Sequence, residues 1–355
     1  MPTDWVILHG GALGDLVLTM QLALRLPGIE AGGRLHLVSR TDPGNLSACR
    51  PRIVRESSDA CGLHWLFADL DSAAPRRLHE IVRVAHVLNA LTGPHTTVHR
   101  RLTSLGPRSL YSFDPRPHPA SQRHIIEQWL AQLERQGLLI PKCVHQRPHQ
   151  RGIAIPGAWR ERGRRLFDPL VDASALQPPH NASAGLPYDA KAGDRLDPVL
   201  IHPGSGGRAK CWPLPCFIDL ARHVTATGQP VVFLVGPAEL DNWPPSDLTA
   251  LEAVAPLIRQ PSPDDLVALL SAARAFIGND AGPTHLAAIL GTFTVALFGP
   301  TSPAVWRPLG PNVRVLAGNP AVAPDTWGLC PRVVAATVSG GVGSAVQAAE
   351  NDADR

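Results

Sequence analysis

Apolar residues along this chain fall in short runs that end at glycine. Trp5 to Leu8 is the first, closing at Gly10-Gly11. Gly14-Asp15 follows, then Leu16-Val17-Leu18 and Leu22-Ala23-Leu24-Leu26. The pattern predicts a strand, a tight turn and a helix that Pro27-Gly28 stops. Leu35 to Val38 predicts a second strand, so the chain opens as a βαβ unit. From 40 to 175 the pattern is irregular, with helices predicted over Ile81 to Leu91 and Ile125 to Leu139 and with Pro, His and Arg scattered between. Residues 177–198 are rich in Pro, Gly, Ser, Asn and Asp and read as an interdomain linker.

Beyond residue 198 the alternation becomes regular. Strands are predicted at 199–201, 231–235, 275–277 and 294–298, and helices at 217–224, 264–273 and 283–290. Apolar strands ending in Gly and alternating with helices describe an α/β, doubly wound parallel sheet. The predicted organisation is a domain over 1–176, a linker over 177–198, a second domain over 199–330 and a helix or tail over 331–355. Two such domains place a cleft between them, with ligands at the C-terminal strand ends.

Composition agrees. At 355 residues, two domains is the natural prior, from about 150 residues per domain. Hydrophobic residues make up 44% and charged residues only 18%, which excludes wholesale disorder. No apolar run approaches a membrane span, and the start Met1-Pro2-Thr3-Asp4-Trp5 has no secretory pattern, so a cytoplasmic location is expected. The six cysteines include no Cys-x-x-Cys pair; a zinc ribbon is not expected, and they read as free thiols.

Charge is distributed unevenly. Residues 1–195 hold 24 Lys and Arg against 17 Asp and Glu, a net of +7, whereas 196–355 hold 9 against 13, a net of −4. A basic front half suggests an anionic partner there. Arg160, Arg162, Arg164 and Arg165 are the densest cluster, and the plain alternative is a solvated helix face.

Three loops carry candidate chemistry. The first is His9 to Asp15. A dinucleotide fingerprint would need Gly at 9, 11 and 14, but His9 occupies the first place and the second strand ends without a ribose-binding acid, which argues against NAD. Asp15 at a strand-to-helix turn reads as a proton acceptor for a hydroxyl or as a first-turn acid on the helix dipole. The second loop is His202 to Gly207, leading to Lys210. Its small residues admit an anion, Ser205 adds a donor and Lys210 a point charge. Lys210 is one of only three lysines against 30 arginines; it reads as a phosphate ligand or as a solvent-facing residue. The third loop is Gly278 to His285. Gly282 and Pro283 open a helix whose N–H groups suit an anion. Asp280 reads as its N-cap or as a ligand for sugar hydroxyls, and His285 as a site residue or a core histidine. Asp69-Leu70-Asp71 matches a metal-dependent transferase motif but is better read as a surface turn. Asn181-Ala182-Ser183 fits a glycosylation acceptor without meaning in a cytosolic protein.

In this order the loops resemble glycosyltransferase family 9, the heptosyltransferases. The resembling stretches are Gly11 to Thr19, Ile201 to Ser205, Lys210 to Pro213, Gly236 to Glu239, Gly278 to Ala288 and Leu297 to Thr301. The resemblance implies a GT-B fold of two Rossmann-like domains. It implies an inverting transfer of heptose from ADP-heptose to an inner-core lipopolysaccharide acceptor, with no metal and no cofactor. Carried over by position, Asp15 is the general base, Ser205 and Lys210 bind the donor phosphates, and Glu239 holds the ribose. Asp280 binds the donor sugar, with Gly282, Pro283, Thr284 and His285 at the diphosphate. Family members often carry Arg where this chain has His9, and 40–175 shows little likeness. The expected partners are a nucleotide-sugar donor and an anionic glycolipid at the inner membrane face, with no nucleic acid. An inactive nucleotide-sugar binder, a member with another donor or acceptor, and an epimerase of the same fold are the alternatives.

Overall fold

A computed structural model describes residues 1–68, 72–139, 152–171 and 196–338. They form two compact units, each built on its own parallel sheet. The first comprises residues 1–156 with 304–309, the second 157–303 with the rest of the chain.

The first unit holds five strands: β1 (Trp5–His9), β2 (Leu35–Ser39), β3 (Ile53–Ser57), β4 (His86–Asn89) and β5 (Ser109–Ser112), in the order β3-β2-β1-β4-β5. All pairings are parallel. The chain builds outward from β1 on one side and then on the other, so the order reverses between β1 and β4. Loops at the carboxyl ends of those strands are where an open α/β sheet binds ligands. The helix Leu13–Ala23 follows β1 there, and every residue from Leu16 to Ala23 is buried.

Residues 81–91, predicted as one helix, are instead the end of a helix Arg76–Val82, a turn at Val84 with φ +57°, and β4. A short apolar run suits a buried strand as well as a helix, and pairing with β1 decides between them. β3 and β5 were not legible because both are short, half-exposed edge strands.

The second unit holds β6 (Val199–His202), β7 (Val231–Val235), β8 (Leu257–Arg259), β9 (Ala275–Asn279), β10 (Thr294–Phe298) and β11 (Val313–Ala317), in the order β11-β10-β9-β6-β7-β8. Here the order reverses between β6 and β9. Their facing residues run Val199 to His202 against Ala275 to Gly278. β6, β7, β9 and β10 are buried throughout, as strands covered on both faces must be.

The unit boundaries differ from those read in the sequence. The helix Gly157–Phe167, placed in the first domain by sequence, packs within the second unit on the helix Pro263–Ala272. Gly163 allows this closeness: a Cβ there would stand 2.0 Å from the Ala268 carbonyl oxygen. Arg162 pairs with Asp265 at 2.7 Å, Arg164 with Asp197 at 2.9 Å and Arg165 with Glu161 at 3.3 Å. Three of the four clustered arginines are thus ion-paired on the helix. Conversely, residues 304–309 belong to the first unit, where Gln21 Nε2 donates to the Leu309 carbonyl (2.6 Å) and His124 Nε2 bonds the Arg307 carbonyl (2.9 Å). Most of the predicted linker (177–195), Asp69-Leu70-Asp71 and Asn181-Ala182-Ser183 lie outside the described residues. Of the C-terminal segment, 331–338 is helical, with Val334 and Val338 buried. Among the described residues no helix is long and apolar enough to cross a membrane.

Candidate functional site

In the second unit, the loops after β6 and β9 meet at the point where the strand order reverses. Asn279, the last residue of β9, is wholly buried and ties them together. Its side-chain oxygen accepts the Trp212 N–H (2.9 Å), and its amide donates to the carbonyls of Pro203 (2.9 Å) and Gly204 (3.1 Å). Ser205 Oγ adds a bond to the Asp280 carbonyl (3.0 Å). Thr284 Oγ1 closes the β9 turn on the Asn279 carbonyl (2.6 Å).

On this frame stands a charged cluster. The Asp280 carboxylate faces Lys210 Nζ at 3.5 Å through one oxygen and His285 Nε2 at 3.4 Å through the other. Burial works to raise the Asp280 pKa. The His285 ring and the Lys210 ammonium outweigh it and hold the carboxyl below the usual carboxylate range. Asp280 is therefore an anion at neutral pH. His285 is 3% exposed, and its Nδ1 is buried with no hydrogen-bond partner, as is Nδ1 of His202 at the end of β6.

The helix Gly282–Ile289 starts beside this cluster, with Ala281 as its N-cap and no side-chain cap. The N–H groups of Thr284 and His285 bond back to the Ala281 carbonyl, leaving the Gly282 N–H without an acceptor among the described residues. An uncapped helix start presents partial positive charge to an anion.

In the first unit, Asp15 sits in the first turn of the helix after β1, half-buried. Its carboxylate stands over Gly11: a Cβ on Gly11 would lie 3.2 Å from Asp15 Oδ2.

The model of glycosyltransferase family 9 (heptosyltransferase) matches residues 153–330, 178 of the 355 residues and so just over half the chain. The chain belongs to glycosyltransferase family 9. It is 30% identical over 192 residues to lipopolysaccharide heptosyltransferase 3 of Escherichia coli, covering 51% of this chain and 48% of that one. It is 35% identical over 115 residues to lipopolysaccharide heptosyltransferase 2 of E. coli K12, covering 31% and 33%. The matches thus span about half the length of these curated relatives or less. Among solved structures, E. coli heptosyltransferase WaaC with ADP superposes with a TM-score of 0.58 at 15% identity, over 96% of this chain and all of that one. E. coli ADP-heptose lps heptosyltransferase II gives 0.55 at 17%, over 96% and 98%. These likenesses show the GT-B fold.

Within this family member, the residues singled out by sequence divide into two groups. Lys210, Asp280, Gly282 and His285 converge as described, and Pro283 occupies the first turn of the helix. Asp280 is not the N-cap, since its carboxylate is held by Lys210 and His285. Ser205, Thr284 and Glu239 use their polar atoms on the protein itself. Ser205 and Thr284 donate to backbone carbonyls. Glu239 is 2% exposed; Oε2 accepts the Gly236 N–H (2.8 Å) with His202 Nε2 at 3.5 Å, and Oε1 packs on Gly204, where a Cβ would stand 1.9 Å away. Burial raises the Glu239 pKa, but the His202 ring and the backbone N–H groups outweigh it and leave it lowered. An acid three residues past the start of Gly236-Pro237-Ala238-Glu239 is a capping signal readable in sequence.

Asn279 is the residue whose role the sequence did not show, because its partners lie 67 to 76 positions away. Asn279→Leu strands one buried N–H and two buried carbonyls. It is expected to cost about 3 kcal/mol, at roughly 1 kcal/mol per lost bond. Denaturant unfolding checks this, and a loss under about 1 kcal/mol would show that the loops hold without it.

Proposed function

We propose that this protein is an inverting, metal-independent glycosyltransferase that moves heptose from ADP-heptose to an anionic inner-core lipopolysaccharide glycolipid. The observation that carries this reading is the Asp280–Lys210–His285 cluster beside an uncapped helix start, inside the stretch that matches the family. Cleaving the bond between the sugar and the diphosphate leaves negative charge on the departing oxygens. Lys210 and the Gly282 N–H supply fixed positive potential for it, so the reaction on this reading requires no metal. Asp280 accepts hydroxyls of the donor sugar. Asp15 takes the proton of the attacking acceptor hydroxyl as its oxygen bonds to the anomeric carbon and ADP departs with the electron pair of the broken bond. Displacement in one step inverts the anomeric centre.

An anionic acceptor suits the first unit. A cavity of about 660 Å³ there is lined by Arg116, His118, Arg123 and Arg135, with Asp114 paired to Arg116. It opens past the carboxyl end of β5, on the same sheet edge as the Asp15 loop. β5 is two strands from β1, about 10 Å at the usual strand spacing. That is within the length of a short oligosaccharide. On this reading the enzyme works peripherally at the cytoplasmic face of the inner membrane.

Calorimetry with ADP-, UDP- and GDP-linked sugars tests the donor. Tightest binding of ADP-heptose is expected, with heptose transfer to a heptose-free lipopolysaccharide acceptor. Preference for a UDP- or GDP-sugar overturns the donor assignment. Donor binding without acceptor-dependent product overturns the transferase reading.

A further inference from the structure

The helix that carries Asp15 begins at Ala12, which has no side chain able to cap it. On the path by which the chain leaves β1 and enters that helix, Gly11 is held from both sides. His9 Nδ1 accepts the Gly11 N–H at 3.3 Å, and Thr41 Oγ1 donates to the Gly11 carbonyl at 2.9 Å. Thr41 is itself anchored, because Ser39 Oγ at the end of β2 donates to its carbonyl at 2.7 Å. His9 is 2% exposed, so packing fixes its ring. A Cβ on Gly11 would stand 3.0 Å from His9 Cε1 and 3.2 Å from Asp15 Oδ2. Imidazole and carboxylate thus flank the same backbone position. Burial pushes His9 down to about 4, so the ring is neutral near pH 7. A neutral ring that accepts at Nδ1 carries its proton on Nε2.

We propose that His9 and Thr41 clamp the Gly11 backbone and thereby help to position Asp15, both being positioning residues of the base. The inference rests on the reading of Asp15 as that base. The clamp matters because a base displaced by about 1 Å can cost on the order of 100-fold in turnover.

The test follows ADP release from ADP-heptose with a heptose-free lipopolysaccharide acceptor. His9→Leu removes the acceptor atom at similar bulk. His9→Asn restores one, since Asn Oδ1 stands where His Nδ1 does. Thr41→Val, at a half-buried site, breaks the other jaw and serves if His9→Leu fails to fold. We expect kcat to fall on the order of 100-fold in His9→Leu and 10-fold in Thr41→Val. Donor KM should stay within about twofold, and His9→Asn should return to within about fivefold of the parent. The double variant should be little worse than His9→Leu, because both act on one backbone position. Turnover of His9→Leu within about twofold of the parent, or His9→Asn as impaired as His9→Leu, overturns the clamp. Asp15→Asn is assayed alongside. If it is inactive while His9→Leu works, only the clamp fails; if it turns over normally, the base reading fails.

Discussion

Asp15→Asn is expected to lower heptose transfer by roughly 100- to 10,000-fold, the span over which a positioned base contributes. The substitution is nearly isosteric, so the helix Leu13–Ala23 should form as before, with its body buried from Leu16 onward. Donor affinity should change by less than about twofold, because Lys210, Asp280 and His285 all belong to the second unit. The competing role for Asp15 is a first-turn acid that complements the helix dipole. Such an acid contributes about 0.3–1 kcal/mol of stability and nothing to chemistry. The two roles therefore separate cleanly. Loss of turnover with an unchanged unfolding midpoint identifies the base. A slightly lowered midpoint with turnover intact identifies the dipole partner and removes Asp15 from the mechanism.

The structure also shows what a linear reading can carry. The second unit was legible in outline because β6, β7, β9 and β10 are unbroken apolar runs followed by Gly, Pro or Asn, and such signals are local. β8 and β11 were not, being short or half-exposed strands at the sheet edges. In the first unit, β4 was read as helix because a buried four-residue run has no periodicity of its own. The site divides along the same line. Asp15, Lys210, Asp280 and His285 could be placed on Gly-rich turns from the sequence, with a functional and a structural role left open for each. Ser205 and Thr284 were not resolved, because whether a hydroxyl serves a ligand or a backbone carbonyl depends on where the other loop lies. The Gly11 clamp joins β1 to the segment after β2, 30 residues on. No spacing within either segment announces it.

Lys210→Ala is expected to weaken ADP-heptose binding and to lower turnover by about 100- to 1,000-fold, the usual loss when one preorganised donor to a developing anion is removed. The alternative is that Lys210 serves stability through its ion pair with Asp280. Magnitudes decide between them. The Lys210 side chain is 45% exposed and the pair is 3.5 Å long. Pairs of that kind contribute about 0–1 kcal/mol because solvent screens them. Asp280 also keeps His285 when Lys210 is lost, so its charge remains partnered. The unfolding midpoint should hardly move, while donor affinity and kcat both fall. Lys210→Arg should recover only part of the loss. It keeps the charge but replaces a compact ammonium with a planar fork, which must find room beside Asp280. Calorimetry with ADP-heptose, paired with turnover at saturating donor, checks both variants. A Lys210→Ala enzyme that binds donor as the parent does would show that the positive end of the helix at Gly282 holds the diphosphate without it.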